Sequence, residues 1–495
     1  MQTNVSLFKR FRLIPLSERV LLLLFLLTLP LANPWVRGDG VGYYAFARAL
    51  LIQHNLDFAP DYQHANTSFR EGRLDESGQP RSEYRTATGH LENHFTIGPA
   101  ILWSPFLLIA HACVLIARTF GSSVAADGFS APYRIAMAFG TAFYGFLGIL
   151  ISFRIAKKFV GERWAFLAAV AIWGASSLPV YMYFNPSWSH AHSAFMVALF
   201  FWYWLETREL RSIPQWILLG AIAGLMLNVY YANAMVLTIV AVEALLSLRD
   251  ALRGSSPAAP SREPSAIILS LLVSYTLFAL TLLLCLLPTF ISRRIIYGSS
   301  VESGYIPVSQ WHWTSPFLLQ LLFSANHGLF SWTPLLLLSS IGILLFCRRV
   351  PRTGAPVLCA TLAFYYFMAS YPDWAGISSY GNRFFVSLTV FFIIGLAVLL
   401  QKFANLFRSL RAAAAAISAV LALFVFWNLG LMFQWGSHLI PARGPVAWNE
   451  VAHNQFFVVP RQLSDLFHDY FFRRKDLMRR IEQRDVQQLR EQSDY

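Results

Sequence analysis

Charge is scarce in this chain. Of its 495 residues only 13% are Asp, Glu, Lys or Arg, while 56% are hydrophobic. Short strands of alternating polarity are also missing, which excludes an outer-membrane barrel. Cysteine is rare: Cys113, Cys285, Cys347 and Cys359 lie in or beside apolar segments with no CxxC spacing. Four such residues supply neither a zinc site nor a disulfide framework. No repeat of solenoid type is visible. The first apolar run, Leu21 to Leu31, follows Lys9, Arg10, Arg12 and Arg19 as a signal peptide would, but no small-residue cleavage site follows it. It reads as a retained first helix.

What is abundant is continuous apolar sequence. Runs of about 18 residues or more recur, each long enough to cross roughly 30 Å of hydrocarbon. The expected fold is all-α and polytopic, with about 11 transmembrane helices by the length rule. Candidate spans are 17–34, 131–153, 164–184, 189–205, 214–229, 233–249, 265–290, 330–346, 355–371, 383–401 and 412–434. The net charge of +13 would suggest nucleic acid on a soluble protein. Here retained cytoplasmic Lys and Arg explain it, so no nucleic-acid partner is expected. Basic residues cluster at 154–163, 206–213, 249–264 (Arg249, Arg253, Arg262), 347–354 and 402–411. The positive-inside rule places these loops and the N-terminus in the cytoplasm. The poorly basic loops then face outward.

One stretch disturbs that alternation. Residues 97–118, "IGPAILWSPFLLIAHACVLIAR", are long enough to span, yet a crossing there would invert every later assignment. The simplest repair keeps them on the outer side. Pro99, Pro105 and His111 fit helices dipping into the outer leaflet of a large first external loop, about 36–130. Residues 1–435 then form the membrane domain, and 436–495 a charged tail. In that tail Phe471, Phe472, Leu477, Ile481 and Leu489 are spaced as one amphipathic stripe, expected to lie on the membrane surface or against the body.

The unusual polar residues now fall on one face. The first loop supplies Asp39, Tyr43, Tyr44, Arg48, Glu92, Asn93 and His94. "NPSWSHAH" supplies His190 and His192; residues 291–329 supply Arg293, Arg294, His312 and His327. "PDWAGISSYGNR" supplies Asp373, Tyr380, Asn382 and Arg383. Carboxylates, imidazoles and guanidinium groups are costly at a bilayer surface unless they bind something. An amphiphilic substrate with an anionic head fits them.

Four of these stretches carry a family resemblance: "GDGVGYYAFARALL", "ENHFTIGPAILWSPFLL", "NHGLFSWTPLL" and "SSYGNRFFVSL". Over roughly residues 10–435 the chain resembles the GT-C superfamily of integral-membrane glycosyltransferases, in the branch of protein mannosyltransferases and aminoarabinose transferases. The resemblance implies inverting transfer of a sugar from a polyprenyl-phosphate donor to a lipid, glycan or protein acceptor at the periplasmic face of a bacterial inner membrane. It implies Asp39 as catalytic base, Arg383 and His94 on the donor phosphate, and Tyr43, Tyr44, His190, His327 and Tyr380 on substrate. A divalent metal near His190 and His192 is a further implication. Two departures stand out. His94 replaces a lysine, and "GLMLNVYYAN" (224–233) lacks the basic residue relatives often carry there, having Asn228, Tyr230 and Tyr231.

Each residue also has a plainer reading. Asp39 can act as an N-cap, and Arg383 can snorkel at an interface. His94 and His327 can be loop histidines. Tyr43 and Tyr44 are neighbours, so one of them faces the site. His190 and His192 share a metal only if the chain turns there. Trp311, Trp313 and Trp332 fit an interfacial belt. Glu243 suits a paired or snorkelling residue. The rival function is a transporter or flippase for a lipid-linked or anionic solute, but that class shows repeats and mid-span polar sites.

Overall fold

The computed structural model describes residues 15–253 and 264–493. Lys9, Arg10, Arg12 and Arg262, counted above among the basic residues, lie outside them. The described residues are helical with no strand; their β contacts are two isolated bridges, Leu74 with Pro80 and Arg85 with Leu91.

The elements that place the site are α1 (Leu16–Thr28), α2 (Asp39–Arg48), α3 (Gly98–Thr119), α4 (Ala131–Ala156), α5 (Glu162–Gly174), α6 (His190–Thr207) and α7 (Ile213–Val229). They continue with α8 (Thr238–Leu252), α9 (Pro264–Cys285), α10 (Leu287–Tyr297), α11 (Leu335–Arg349), α12 (Pro351–Ser370), α13 (Thr389–Ala404) and α14 (Leu410–Gly436). Two tail helices follow, α15 (Val459–Phe472) and α16 (Arg474–Ser493). Among the described residues seven helices are long and apolar enough to cross a membrane. They do not include all the expected spans. Residues 17–34 and 164–184 hold helices of only 13 residues, and 265–290 is split between α9 and α10. Proline sets several of these breaks, as at Pro30 after α1 and Pro288 in the first turn of α10.

Small residues decide which helices meet at the centre. A Cβ on Gly342 of α11 would stand 1.9 Å from the carbonyl oxygen of Gly395 in α13, and one on Gly395 would stand 2.2 Å from that of Ser339. These two backbones approach as only glycine allows. The Arg383–Ala404 segment is accordingly central, with 94% of its apolar window buried, whereas the Ser265–Cys285 window is 6% buried and turns its leucines outward.

Ion pairs mark one end of the bundle. Glu18 of α1 pairs with Arg154 of α4 at 2.7 Å, Arg211 with Glu243 at 2.9 Å, and Lys158 with Glu206. Gly161 N–H donates to Gln401 at 2.8 Å, and Arg208 to Thr353 at 2.6 Å. The basic loops 154–163, 206–213, 347–354 and 402–411 thus gather together, and Glu243 is a paired residue. Asp39 lies at the opposite end.

The 97–118 stretch departs from the expectation of dipping helices. It is one continuous 22-residue helix, α3. Pro99 occupies its first turn, where the missing N–H costs nothing. Pro105 cannot bond the Ile101 carbonyl, and the Ser104 hydroxyl donates to that oxygen instead at 2.7 Å. Gly98 abuts the backbone of Asn228 and Val229 at the end of α7; Trp103 donates to Thr141 at 2.9 Å, and His111 meets the Tyr133 hydroxyl at 2.6 Å. Beyond α3, Gly128 accepts from Tyr44 of α2 at 2.6 Å. Through its Trp103 and His111 contacts α3 runs antiparallel to α4.

The tail packs against the body, one of its two expected places, but as two helices rather than one. Its stripe breaks at Arg473, so Phe471 and Phe472 belong to α15 while Leu477, Ile481 and Leu489 belong to α16. The tail docks on the first segment through polar contacts. Glu482 accepts from Asn66 at 3.0 Å and from Ser68 N–H at 2.9 Å, and Asp485 pairs with Arg37 at 2.7 Å.

Candidate active site

Asp39 opens α2 after Gly38, whose φ of +54° is a conformation that favours glycine. Its side chain makes no capping hydrogen bond. The N-cap reading therefore fails, although a carboxylate in a first turn still suits the helix dipole. Asp39 instead forms an ion pair with Arg383 at 2.8 Å. The Asp39 side chain is 33% exposed and that of Arg383 11%, so the carboxylate keeps access to solvent while the guanidinium is nearly enclosed.

Close packing brings the two together. A Cβ on Gly40 would stand 1.9 Å from Ser187 Oγ, and one on Gly42 would stand 2.0 Å from Phe95. The glycines flanking Asp39 let α2 lie directly on the 185–189 turn. Trp188 of that turn donates its indole N–H to Arg37 O at 3.0 Å and stacks under the Arg383 guanidinium at 4.4 Å. A cation over an indole face is worth about 0.5–2 kcal/mol, more as water is excluded.

Helix geometry sorts the neighbouring tyrosines. Positions 39 and 43 share a face of α2 one turn apart, and 41 and 44 share another. Tyr43 therefore joins Asp39. Burial and the Asp39 charge hold its phenol above the ordinary range. Tyr44 turns away to Gly128 and Trp103, so its expected substrate role does not hold at this pair.

His94 lies in the same region, against Phe95 at 4.1 Å and Tyr305 at 4.8 Å. Burial lowers its pKa to about 4 against the opposing pull of Asp39, with Arg293 assisting the decrease. A neutral imidazole results near neutral pH. His94 can offer a hydrogen bond to a phosphate but not the charge a lysine would bring.

His190 is buried among Tyr181, Trp188 and Tyr230 at 4.8, 6.1 and 5.5 Å. His327 is buried with a φ of +56° and lies over Trp332 at 4.8 Å; burial first, then Arg383, lowers its pKa to about 4. Tyr380 is a framework residue: its hydroxyl donates to Asn428 at 2.7 Å and its N–H to Tyr181 at 3.0 Å. Those bonds tie the 371–383 loop to α14 and leave no phenol donor for substrate.

The histidine pair does not form a metal site. His192 faces Trp103 and Tyr144, at 5.1 and 5.7 Å, while His190 faces a different set of rings. Among the described residues no three His, Cys, Asp or Glu side chains converge as metal ligands would. These donors do not fit a divalent ion.

Tyr305 was not singled out in the sequence, and Arg293 was named there without a role. Tyr305 is half-buried against His94 and Tyr231, and its phenol is raised by desolvation first, then by Tyr43, Tyr230, Tyr231 and Asp39. Only an aromatic position in a long loop marked it. Arg293 reaches the region whose lack of a basic residue was noted above. It donates to the Tyr231 hydroxyl at 2.8 Å and to the His94 carbonyl at 2.8 Å. Its donors are thus occupied in holding the 93–95 segment to α10.

Several polar atoms around the pair are buried without a hydrogen-bond partner among the described residues: Arg383 Nε, Asn382 Oδ1, His190 Nδ1 and Ser187 Oγ. Asp373, half-buried, is raised by desolvation against the opposing charge of Arg383. Unsatisfied buried groups each cost about 1–3 kcal/mol. Their clustering here describes a place prepared for a polar ligand.

A scan against protein-family models finds no match, and a search of curated proteins finds none. Solved structures give several similar folds. The Archaeoglobus fulgidus oligosaccharyltransferase AglB, in complex with an inhibitory peptide and a dolichol-phosphate, is 14% identical over 87% of this chain and 56% of its own, with a TM-score of 0.47. The Archaeoglobus fulgidus oligosaccharyltransferase in complex with Zn and sulfate is 13% identical over 84% of this chain and 53% of its own, at 0.45. ArnT from Cupriavidus metallidurans bound to undecaprenyl phosphate is 16% identical over 84% of this chain and 71% of its own, at 0.43. The chain spans about half the length of the two oligosaccharyltransferase chains.

Proposed function

We propose that this protein is a membrane glycosyltransferase of GT-C type, taking its sugar from a lipid-phosphate donor at the end of the bundle opposite the basic loops. That end is then the periplasmic face of an inner membrane, with the N-terminus cytoplasmic. The observation that carries the reading is the Asp39–Arg383 pair at 2.8 Å, set among buried aromatic rings and unsatisfied polar atoms.

The chemistry follows from the two charges. An acceptor hydroxyl oxygen attacks the anomeric carbon as the bond from that carbon to the phosphate oxygen breaks. The phosphate leaves with the electron pair, and Asp39 takes the acceptor proton. Such base assistance is typically worth about 10²–10⁴-fold. An arginine bound to a carboxylate disfavours proton uptake by it, so the pair must loosen for Asp39 to act. The donor phosphate supplies the competing anion. Arg383 already has an Nε–H with no acceptor, and its flat guanidinium suits two phosphate oxygens. Donor binding thus transfers the arginine from carboxylate to phosphate. It frees the base and stabilises the leaving charge in one movement. His94 adds a neutral hydrogen bond, and Tyr43 and Tyr305 wall the site. Dolichol phosphate and undecaprenyl phosphate, held by two of the similar structures, exemplify such a lipid phosphate.

The transport reading is less well supported, because the polar groups gather at one end of the helices rather than midway along them. The deciding assay supplies the purified protein in lipid with a panel of polyprenyl-phosphate sugars and an envelope extract as acceptor, with and without divalent ions. Acceptor-dependent release of polyprenyl phosphate is the expected result. No release from any donor, together with solute uptake by vesicles containing the protein, would replace the transferase with a transporter.

A further inference from the structure

A cavity of about 300 Å³ lies on the other face of α2 from the Asp39–Arg383 pair. It falls at the lower end of the size range for small-molecule sites. Val41 and Tyr44 face it from α2, with Trp35, Phe129, Asp61 and Arg134 around it. Three of these are aromatic walls. The polar members are unequal. The Asp61 carboxylate is already held by Arg48, at 2.7 Å to Nε and 2.5 Å to a terminal nitrogen. Its charge is therefore answered, though its lone pairs can still accept from a hydroxyl.

Arg134 has no such partner. It sits in the first turn of α4, forms no ion pair among the described residues, and buries its Nε without an acceptor. An arginine at a membrane boundary ordinarily extends its head into water. This one is turned into an aromatic cavity instead. Its charge acts on the Tyr44 phenol, whose hydroxyl proton is already given to Gly128. An unpaired guanidinium, a carboxylate able to accept hydroxyls and flat apolar walls together suit one ligand class. Aromatic faces stack on the C–H faces of a sugar, and the arginine binds a carboxylate or phosphate on it.

We propose that this cavity binds an anionic sugar residue of the acceptor, separate from the residue that attacks the donor. The proposal rests on the transferase reading for the word acceptor, but not for the binding itself. The segment from Trp35 to Gly38 borders both places, and Gly38 N–H donates to Asn66, also on the cavity wall, at 3.3 Å. Occupancy of the cavity thus lies one residue from Asp39. An acceptor gripped here would present a neighbouring hydroxyl around the start of α2.

The test is ligand-observed saturation-transfer NMR on the full chain in lipid nanodiscs. The probes are methyl glucuronide, glucose 1-phosphate, neutral methyl glucoside and inorganic phosphate. The two anionic sugars are expected to bind, and the neutral glycoside at least tenfold more weakly. Arg134→Gln should weaken the anionic sugars at least tenfold, and Arg134→Lys less. Asp39→Asn should leave their binding intact. The proposal is overturned if neither anionic sugar binds, if Arg134→Gln binds them as the parent does, or if inorganic phosphate alone binds as tightly. Retained binding by Arg134→Lys shows that the fold survives substitution at this position. A protein that binds these sugars through Arg134 yet releases nothing from any lipid donor would retain the pocket and lose the transferase.

Discussion

Replacing Asp39 with asparagine separates chemistry from architecture at one atom. The substitution keeps size and hydrogen-bonding shape but removes the base and the charge facing Arg383. Loss of general-base assistance should lower kcat by about 10²–10⁴, or about 3–5 kcal/mol of barrier. The structural cost should be smaller. Charges about 4 Å apart at an effective dielectric near 20 attract by about 4 kcal/mol. One third of the Asp39 side chain is exposed, so solvent screens the pair and a loss of about 1–2 kcal/mol of stability is expected. A helix cap would respond differently, because asparagine caps as well as aspartate. The assay is donor turnover at saturating donor, measured beside thermal unfolding in the same lipid. Pairing Asp39→Asn with Arg383→Gln in a double-mutant cycle isolates the coupling between them. A variant that turns over within threefold of the parent would refute Asp39 as the base.

Arg383→Lys retains the charge but not the flat pair of donors; it should raise the donor KM about 10–100-fold, the worth of one charge-assisted hydrogen bond, and an unchanged KM would remove Arg383 from the phosphate. His94 and His327 both titrate near 4 in the folded protein, against an ordinary value near 6.5, because burial disfavours their charged forms. The unfolded chain therefore binds more protons between those values, and the stability these groups contribute is complete above about 6.5 and lost as pH falls towards 4, by up to about 3 kcal/mol each. Thermal unfolding followed from pH 7 to pH 4 (a window of about three units) should show that decline, and His94→Gln should flatten it. Gly395→Ala places a methyl 2.2 Å from the Ser339 carbonyl oxygen between α11 and α13; overpacking of this kind costs about 1–3 kcal/mol, and an unchanged unfolding temperature would show that the helices can separate freely.

Much of the site could be read along the chain. Asp39, Arg383, His94, Tyr43, His190 and His327 were marked because they are polar residues beside apolar runs. What such marking lacks is direction. Tyr43 and Tyr44 look alike in sequence, yet about 100° of helical rotation separates them and sends one to Asp39 and the other to Gly128. Tyr380 stands in a site-like motif, but its hydroxyl is consumed by Asn428. His190 and His192 are two apart and face different rings. Pro105 suggested a broken helix, and the nearby Ser104 hydroxyl supplies the bond that keeps α3 whole.

The sequence by itself determined that this chain is helical and apolar enough for a membrane. It also determined which loops are basic and that an acid lies between glycines after the first run. These properties are local, because hydropathy and turn chemistry act over a few residues. Tertiary structure decided which distant groups meet. Asp39 and Arg383 are far apart along the chain, and no spacing rule links them. They meet because Gly40 admits the 185–189 turn against α2, where Trp188 stacks under Arg383, and because Gly342 and Gly395 draw α13 into the centre of the bundle. Those contacts depend on the shapes of several helices at once, and that is information no single stretch of sequence contains.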